Sequence, residues 1–291
     1  MIISASRRTD IPKFYSEWFM NRVRAGFCTF PNPFNPNQVI RVSLRPEDVD
    51  VIVFWSKDPE PLIQHLGELD RRGLRYYFQF TVNGYPRFME PNVPPLGEVL
   101  DTFGRLSETV SPDRMIWRYD PIVLSNVTGL EYHVRQFGEI AGALKGKTKR
   151  VVVSPVHYYR GPTVRLARLS KHGIYVRPFG PHDPETARLL ATMARVAGDS
   201  GMEIVSCAAE YSLIEFGIKP GKCIDDEYIA GVFGIRVTGR KDLSQRAACG
   251  CVQSKDIGVY GTCRHGCVYC YATSTGGPRS QHHDIDSPSL G

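Results

Sequence analysis

The chain has no run of apolar residues near the roughly 20 that a membrane-spanning helix needs, and this excludes a helical membrane protein. Its opening, MIISASRRTD, lacks the charged stretch followed by a long apolar one that marks an export signal. A cytoplasmic location with no membrane partner is the expectation. No internal repeat is visible beyond an alternation of strand-like and helix-like patterns. Neither charge sign dominates: 36 Lys and Arg against 30 Asp and Glu leave a net charge of +6 and a pI near 8.9. That modest excess favours anionic partners such as nucleotides, nucleic acid or phosphorylated metabolites, although a basic soluble surface accounts for it about as well.

What the chain does have is a repeating order of short apolar strands and amphipathic helices. MIISAS, VDVIVFW (residues 49 to 55) and the stretches 75–82, 114–119, 150–155 and 203–206 are short and mainly apolar, as strands covered on both faces are. Between them, helices are expected from Pro12, from Asp58 as a cap with Pro59 at the first position, from Leu96, from a Thr128/Glu131 capping box, and from Asp183 with Pro184. One further strand, 39–44, lies in a Pro- and Asn-rich excursion. Six strands alternating with helices predict a parallel sheet with right-handed crossovers, in which a doubly wound sheet and a partial barrel remain alternatives. With 42% apolar residues there is ample core for one compact unit over residues 1–210. A cysteine-rich segment follows over 211–274, and a polar tail rich in Gly, Ser and Pro over 275–291 is expected to be disordered.

Eight cysteines without an export signal call for metal or redox chemistry, because the cytosol keeps structural disulfides rare. Five of them fall between residues 249 and 270. Cys263, Cys267 and Cys270 are separated by three and then two residues, and three thiolates on one tight loop can hold three irons of a four-iron, four-sulfur cluster with the fourth iron open. A structural zinc half-site is the plainer alternative, but no second C-x-x-C completes it, since Cys249 and Cys251 have one residue between them. Cys207, Cys223, Cys249 and Cys251 make a candidate second, fully cysteine-ligated cluster; buried packing is the competing reading for Cys207 and Cys223. His265, inside the loop, is expected to face solvent or a cluster sulfur.

With Tyr269 before the last cysteine, the loop completes the C-x-x-x-C-x-aromatic-C pattern of radical S-adenosylmethionine (radical SAM) enzymes, displaced to the end of the chain. The run CGCVQSKDIGVYGTCRHGCVYCYA, with SRRTDIP, FWSKDP and RYDPIV upstream, resembles the domain-of-unknown-function family 1848, whose members resemble radical SAM proteins with a C-terminal cluster motif. The resemblance covers nearly the whole chain. RYDPI also resembles, locally, a strand end of spore photoproduct lyase. What the family resemblance implies is a (β/α)6 partial TIM barrel of radical SAM type with a C-terminal cluster-binding segment, one S-adenosylmethionine and at least one [4Fe-4S] cluster. The implied activity is reductive cleavage of S-adenosylmethionine to a 5'-deoxyadenosyl radical that abstracts hydrogen from a substrate, with a reductant such as flavodoxin or ferredoxin. The glycine-rich turn that commonly holds the methionine amine in such proteins is missing after the second strand.

In a barrel the ligand site lies at the C-terminal strand ends, where this chain puts most of its polar residues. Arg118 is the candidate for the methionine carboxylate, because a guanidinium matches it in bidentate geometry. A rim ion pair with Asp120 is the competing role. Asp120 and Ser154 are candidates for ribose, Tyr269 for adenine, and Ser56 and Lys57 for the methionine end. After the fifth strand, Arg160, Arg165, Arg168, Lys171, His172 and Arg177 interleave with Tyr158, Tyr159 and Tyr175, which suits either a small nucleotide-like substrate or nucleic acid, or else a solvated helix face. Two readings from other classes stand beside the enzyme: a zinc-stabilised nucleic-acid-binding protein and an iron-sulfur electron-transfer module.

Overall fold

In the computed structural model, which describes residues 1–32, 35–273 and 283–290, each apolar run becomes a strand. Strand β1 (Ile2–Ala5) leads through the polar SRRTD turn into α1 (Ile11–Phe14) and α2 (Ser16–Ala25). One helix was expected here, but Tyr15 leaves the helical region at φ −142° and divides it. The excursion that follows is an antiparallel hairpin of two strands, β2 (Phe27–Asn32) and β3 (Asn35–Ser43), where one was expected.

Then come β4 (Val51–Ser56), α3 (Glu60–Ile63), α4 (Leu66–Arg71), β5 (Tyr76–Thr81), α5 (Leu96–Val110), β6 (Met115–Ile122), α6 (Leu130–Leu144) and β7 (Arg150–Pro155). After β7 the chain forms α7 (Arg160–Arg168), α8 (Pro184–Asp199), β8 (Glu203–Cys207), β9 (Lys219–Gly221), α9 (Asp226–Phe233) and β10 (Lys255–Asp256). Asp183 caps α8 by accepting from Thr186 N at 3.0 Å. The Thr128/Glu131 capping box does not form. Thr128 Oγ1 instead donates to Val123 O at 2.7 Å, and α6 starts after Gly129 without a side-chain cap.

All eight main strands run parallel, in the order β10-β1-β4-β5-β6-β7-β8-β9. Residues 211–274, read from the sequence as a segment apart, supply both outer strands. The order of the inner six rises steadily, so right-handed crossovers put their helices on one face; a doubly wound sheet would reverse direction part-way. Alternate strand residues Ile3, Phe54, Phe78, Trp117 and Val153 accordingly pack with Trp18, Leu69, Phe103, Phe137 and Leu190 from the helices. On the other face Val53, Tyr77, Ile116, Val152 and Val205 meet Ile224, Ile229 and Val252. Toward the C-terminal ends this second face turns polar, with Ser4, Trp55, Gln79, Arg118 and Ser154, which share its register.

Of the stretch expected to be a disordered tail, 275–282 and 291 lie outside the described residues. Residues 283–290 lie against α2 and β2: Trp18 Nε1 donates to Ser287 O at 2.8 Å, Thr29 N to Pro288 O at 2.7 Å, and Leu290 is buried. No helix among the described residues is long and apolar enough to cross a membrane.

Candidate metal and cofactor site

The cysteine loop is aimed by a two-residue strand. β10 pairs with β1 in parallel, Ser4 opposite Asp256, so the chain leaves it at the C-terminal end of the sheet. Asp256 fastens that corner: its carboxylate accepts from Ser4 Oγ (2.9 Å), Ser6 Oγ (2.7 Å), Arg7 N (2.9 Å) and Gly258 N (3.0 Å). Gly258 then passes so close to β1 that an added Cβ would lie 1.9 Å from Ser6 Oγ, so only glycine fits there.

Beyond it the loop lies across the ends of β1, β4, β5 and β7. Tyr15 OH donates to Thr262 O (2.8 Å), Asn92 Nδ2 to Arg264 O (2.8 Å) and Val268 N to Met89 O (3.0 Å). Arg165 Nε donates to Val268 O at 2.9 Å and Nη1 to Thr273 O at 3.1 Å, with Nη2 on Cys270 O. His265 faces neither solvent nor sulfur. Its ring is buried and Nε2 meets Oδ2 of Asp10, a buried carboxylate at the start of α1, at 2.8 Å. The same carboxylate accepts from Ser56 Oγ (2.7 Å), Lys57 N (2.8 Å) and Lys13 N (3.0 Å).

All six residues assigned to the cofactor fall in one buried network between the triad and the other four cysteines. Ser56 bonds Asp10 and accepts from Asp58 N at 2.9 Å, while Asp58 accepts from Glu60 N as a cap does and pairs with Lys13. Lys57 Nζ reaches Glu90 Oε1 at 2.8 Å and lies 5.6 Å from the Tyr269 ring. Burial works against the Lys57 ammonium, but Glu90 and the Cys267 and Cys270 thiols outweigh it and raise its pKa. Tyr269 OH bonds Glu90, and Asn83 Nδ2 joins both.

Asn83 continues the network, exchanging bonds with the backbone of Asp120 at 2.9 and 3.0 Å. Asp120 accepts from Ser154 Oγ and pairs with Arg118, whose Nη1 donates to Gln79 Oε1 (3.1 Å) and to Cys223 Sγ (2.9 Å). Every nitrogen of Arg118 thus already has a partner within the chain, the ion pair being one of the two roles considered for it. Burial opposes the Asp120 charge, and Arg118 and Ser154 more than offset that, holding its pKa down. Glu90 and Asp256 were missed. Glu90 sits in a Pro-rich loop with no pattern to mark it, and Asp256 reads as an ordinary surface acid.

Arg7 differs from Arg118. Its guanidinium lies 5.2 Å from the Trp55 ring, with Arg118 at 5.0 Å from the same ring, yet its Nη2 is buried without a hydrogen-bond partner.

The three triad thiols share one loop and lie within electrostatic reach of one another. Burial pushes Cys263 up to about 12 and Cys267 well above the ordinary thiol value. A bound cation would have to draw off these protons. Cys207, Cys223, Cys249 and Cys251, from three separate stretches, are all buried and meet on the second face, with Cys223 Sγ to Cys207 Sγ at 2.8 Å. Bonds from neighbouring thiols, then Arg118 for Cys207 and Arg7 for Cys251, lower the pKa of these two. Among the described residues no three His, Cys, Asp or Glu side chains are set to hold a single metal ion. The donor sets fit a thiolate-ligated group in kind, three thiols on one buried loop and four more on the sheet. As they stand they are not set for a metal: Cys207 and Cys223 at 2.8 Å are closer than the about 3.8 Å between two sulfurs on one zinc, so the thiols must separate to hold either a zinc or a cluster.

A family model described as a domain of unknown function (DUF1848) matches residues 2–272. The chain belongs to this family. The match takes in β1 and β10 together with every cysteine, so the whole cysteine arrangement lies inside the family's domain. No curated protein matches the chain.

Proposed function

We propose that this DUF1848 protein is a radical SAM enzyme with a partial (β/α) barrel, its [4Fe-4S] cluster held by Cys263, Cys267 and Cys270. What carries the reading is the delivery of a C-x-x-x-C-x-Tyr-C loop by β10 onto the C-terminal ends of a singly wound parallel sheet, against Lys57, Glu90 and Tyr269. A cluster so held supplies one-electron cleavage of S-adenosylmethionine to a 5'-deoxyadenosyl radical that takes hydrogen from the substrate. The chain's own residues orient and exclude water. Lys57 brings a buried positive charge to the cluster loop, and Asp120 with Ser154 offers hydrogen-bonding oxygens for ribose. Arg7, with an uncommitted Nη2, takes over from Arg118 as the residue for a carboxylate. Cys207, Cys223, Cys249 and Cys251 hold a second cluster, with Arg118 as a donor to the Cys223 sulfur. A flavodoxin or ferredoxin is the reductant.

The test is anaerobic purification with iron, sulfide and visible-absorption measurement, then dithionite-driven release of 5'-deoxyadenosine. The expected result is a brown protein that releases 5'-deoxyadenosine and loses that activity in Cys267→Ala. A colourless protein with one zinc per chain would sink the proposal.

A further inference from the structure

Three tyrosines from distant parts of the chain meet beside the cysteine loop with their rings open, and Tyr158 is the sequence neighbour of one of them. Tyr158 and Tyr159 precede α7, Tyr260 precedes the triad and Tyr271 follows it, and each is between 42 and 47% exposed. Tyr159 and Tyr271 have ring centroids 5.7 Å apart, and Tyr271 and Tyr260 are 6.4 Å apart. His157 extends the row at one end, 6.2 Å from Tyr159, and the Arg8 guanidinium closes the other, 5.2 Å from the Tyr260 ring. The row runs from the end of β7 over the cysteine loop to the end of β1. Single exposed tyrosines are ordinary, but a contiguous row beside a candidate site marks a contact surface.

The chain segment at the β7 end of the row is basic, while Glu210 lies near His157 and Asp256 near Tyr271 at its edges. No Asp or Glu occurs between Glu139 and Asp183, an interval with nine Lys and Arg. Several of these are used internally: Arg165 holds the cysteine loop, Arg177 pairs with Asp183 and Glu185, and Arg150 with Glu203 and Asp225. Arg160, Arg168 and Lys171 are exposed on α7 and the turn after it, with no acidic partner among the described residues.

We propose that this face binds single-stranded nucleic acid, its bases stacking on Tyr159, Tyr271 and Tyr260 and its phosphates meeting Arg160, Arg168 and Lys171. Open rings select unpaired bases, because a duplex hides base faces that a single strand presents. An acidic protein would be served by the cations alone and would leave the tyrosine row without a purpose. A strand on this face crosses the triad loop, which gives the enzyme a nucleotide substrate. That last step rests on the radical SAM reading; the binding does not.

The experiment is fluorescence anisotropy of a short fluorescein-labelled oligothymidylate, with oligouridylate in parallel, titrated with the anaerobically purified full chain at stepped salt. Affinity should fall linearly on logarithmic axes, and Arg168→Gln and Lys171→Gln should each make the slope shallower by about 0.7. Tyr159→Ala and Tyr260→Ala should each weaken binding about fivefold to a hundredfold, with Tyr159→Phe retaining it. Preference for oligouridylate supports the face and assigns it to RNA. Tyrosine variants with native circular dichroism that bind like wild type would overturn the proposal, as would equal affinity for duplex, displacement by polyphosphate as effective as by unlabelled strand, or no binding at low salt. Strand binding without S-adenosylmethionine cleavage would remove the enzyme reading and leave this one standing.

Discussion

Replacing Asp10 by asparagine changes one atom at the point where α1, β4 and the cysteine loop are tied together. Its Oδ1 accepts from Ser56 Oγ and Lys13 N, and its Oδ2 from Lys57 N and His265 Nε2. An amide keeps one acceptor oxygen and turns an NH2 toward the other pair. If the NH2 faces Lys57 N, His265 can switch tautomer and accept, but the backbone N–H of Lys57 has no such choice. If it faces Ser56, the hydroxyl can rotate, but the N–H of Lys13 is stranded. Either way one backbone donor loses its partner, at about 1–3 kcal/mol, and the remaining bonds lose their charge assistance, so the total is about 2–4 kcal/mol. That is a large share of the 5–15 kcal/mol typical of a domain. Urea unfolding of wild type and Asp10→Asn measures it, and cluster loss should quicken in the variant because His265 is two residues from Cys263 and Cys267. A difference below about 0.5 kcal/mol, with unchanged cluster lifetime, would refute the account of Asp10 as the tie.

Four further outcomes follow from the same geometry. His133 is buried between Tyr119 OH (2.7 Å) and Val123 O, and burial lowers its pKa to about 4. Between about pH 6.5 and 4 the unfolded chain takes up a proton that the fold refuses, so wild type should lose about 3 kcal/mol as pH falls through that window. The loss should be absent from the stability difference curve of His133→Gln. Arg165→Lys keeps the charge but loses the fork that spans three carbonyls, so cluster loss should speed up severalfold with under about 1 kcal/mol of stability lost; decay of visible absorbance reports it. Cys223→Ser should halve the iron and sulfide per chain while keeping 5'-deoxyadenosine release, if the four-cysteine set holds its own cluster; unchanged iron content would reject that cluster. Cys28, whose pKa burial pushes up to about 12, should resist iodoacetamide in the native protein and react fully in guanidinium, as read by mass spectrometry.

The six inner strands were legible because a strand covered on both faces cannot alternate polar and apolar residues, and 49–55 in VDVIVFW shows that signature plainly. The outer two were not. β9 and β10 are KPG and KD, three and two residues with no apolar pattern, formed only because neighbouring edges offer free backbone groups and Asp256 locks one of them. The doubly wound alternative also stayed open in the sequence, since which face a helix takes depends on strand order, and strand order is a long-range property.

At the site the contrast is the same. Cysteine spacing is local, and strand ends are local, so Ser56, Lys57, Arg118, Asp120 and Ser154 could be picked out as polar residues where apolar runs stop. Which partners they would meet could not be read: Glu90 went unnoticed, and His265 was expected to face solvent or sulfur, because both arrive on loops whose paths are set by contacts far away in the chain. The pairing of Lys57 with Glu90 has a consequence for the chemistry. The buried ammonium would favour ionisation of Cys267, but burial, with Glu90 acting on Cys267 and Asp10 on Cys263, raises the pKa of both thiols. Cys263 and Cys267 therefore rest protonated until a cation takes the place of those protons, and cluster assembly, not the fold alone, charges the site. Glu90→Gln should accordingly leave Lys57 as an uncompensated cation and raise the thiolate fraction of Cys267 in the unloaded protein, seen as faster iodoacetamide labelling of Cys267. Slower labelling would mean that Glu90 does not set the charge balance there.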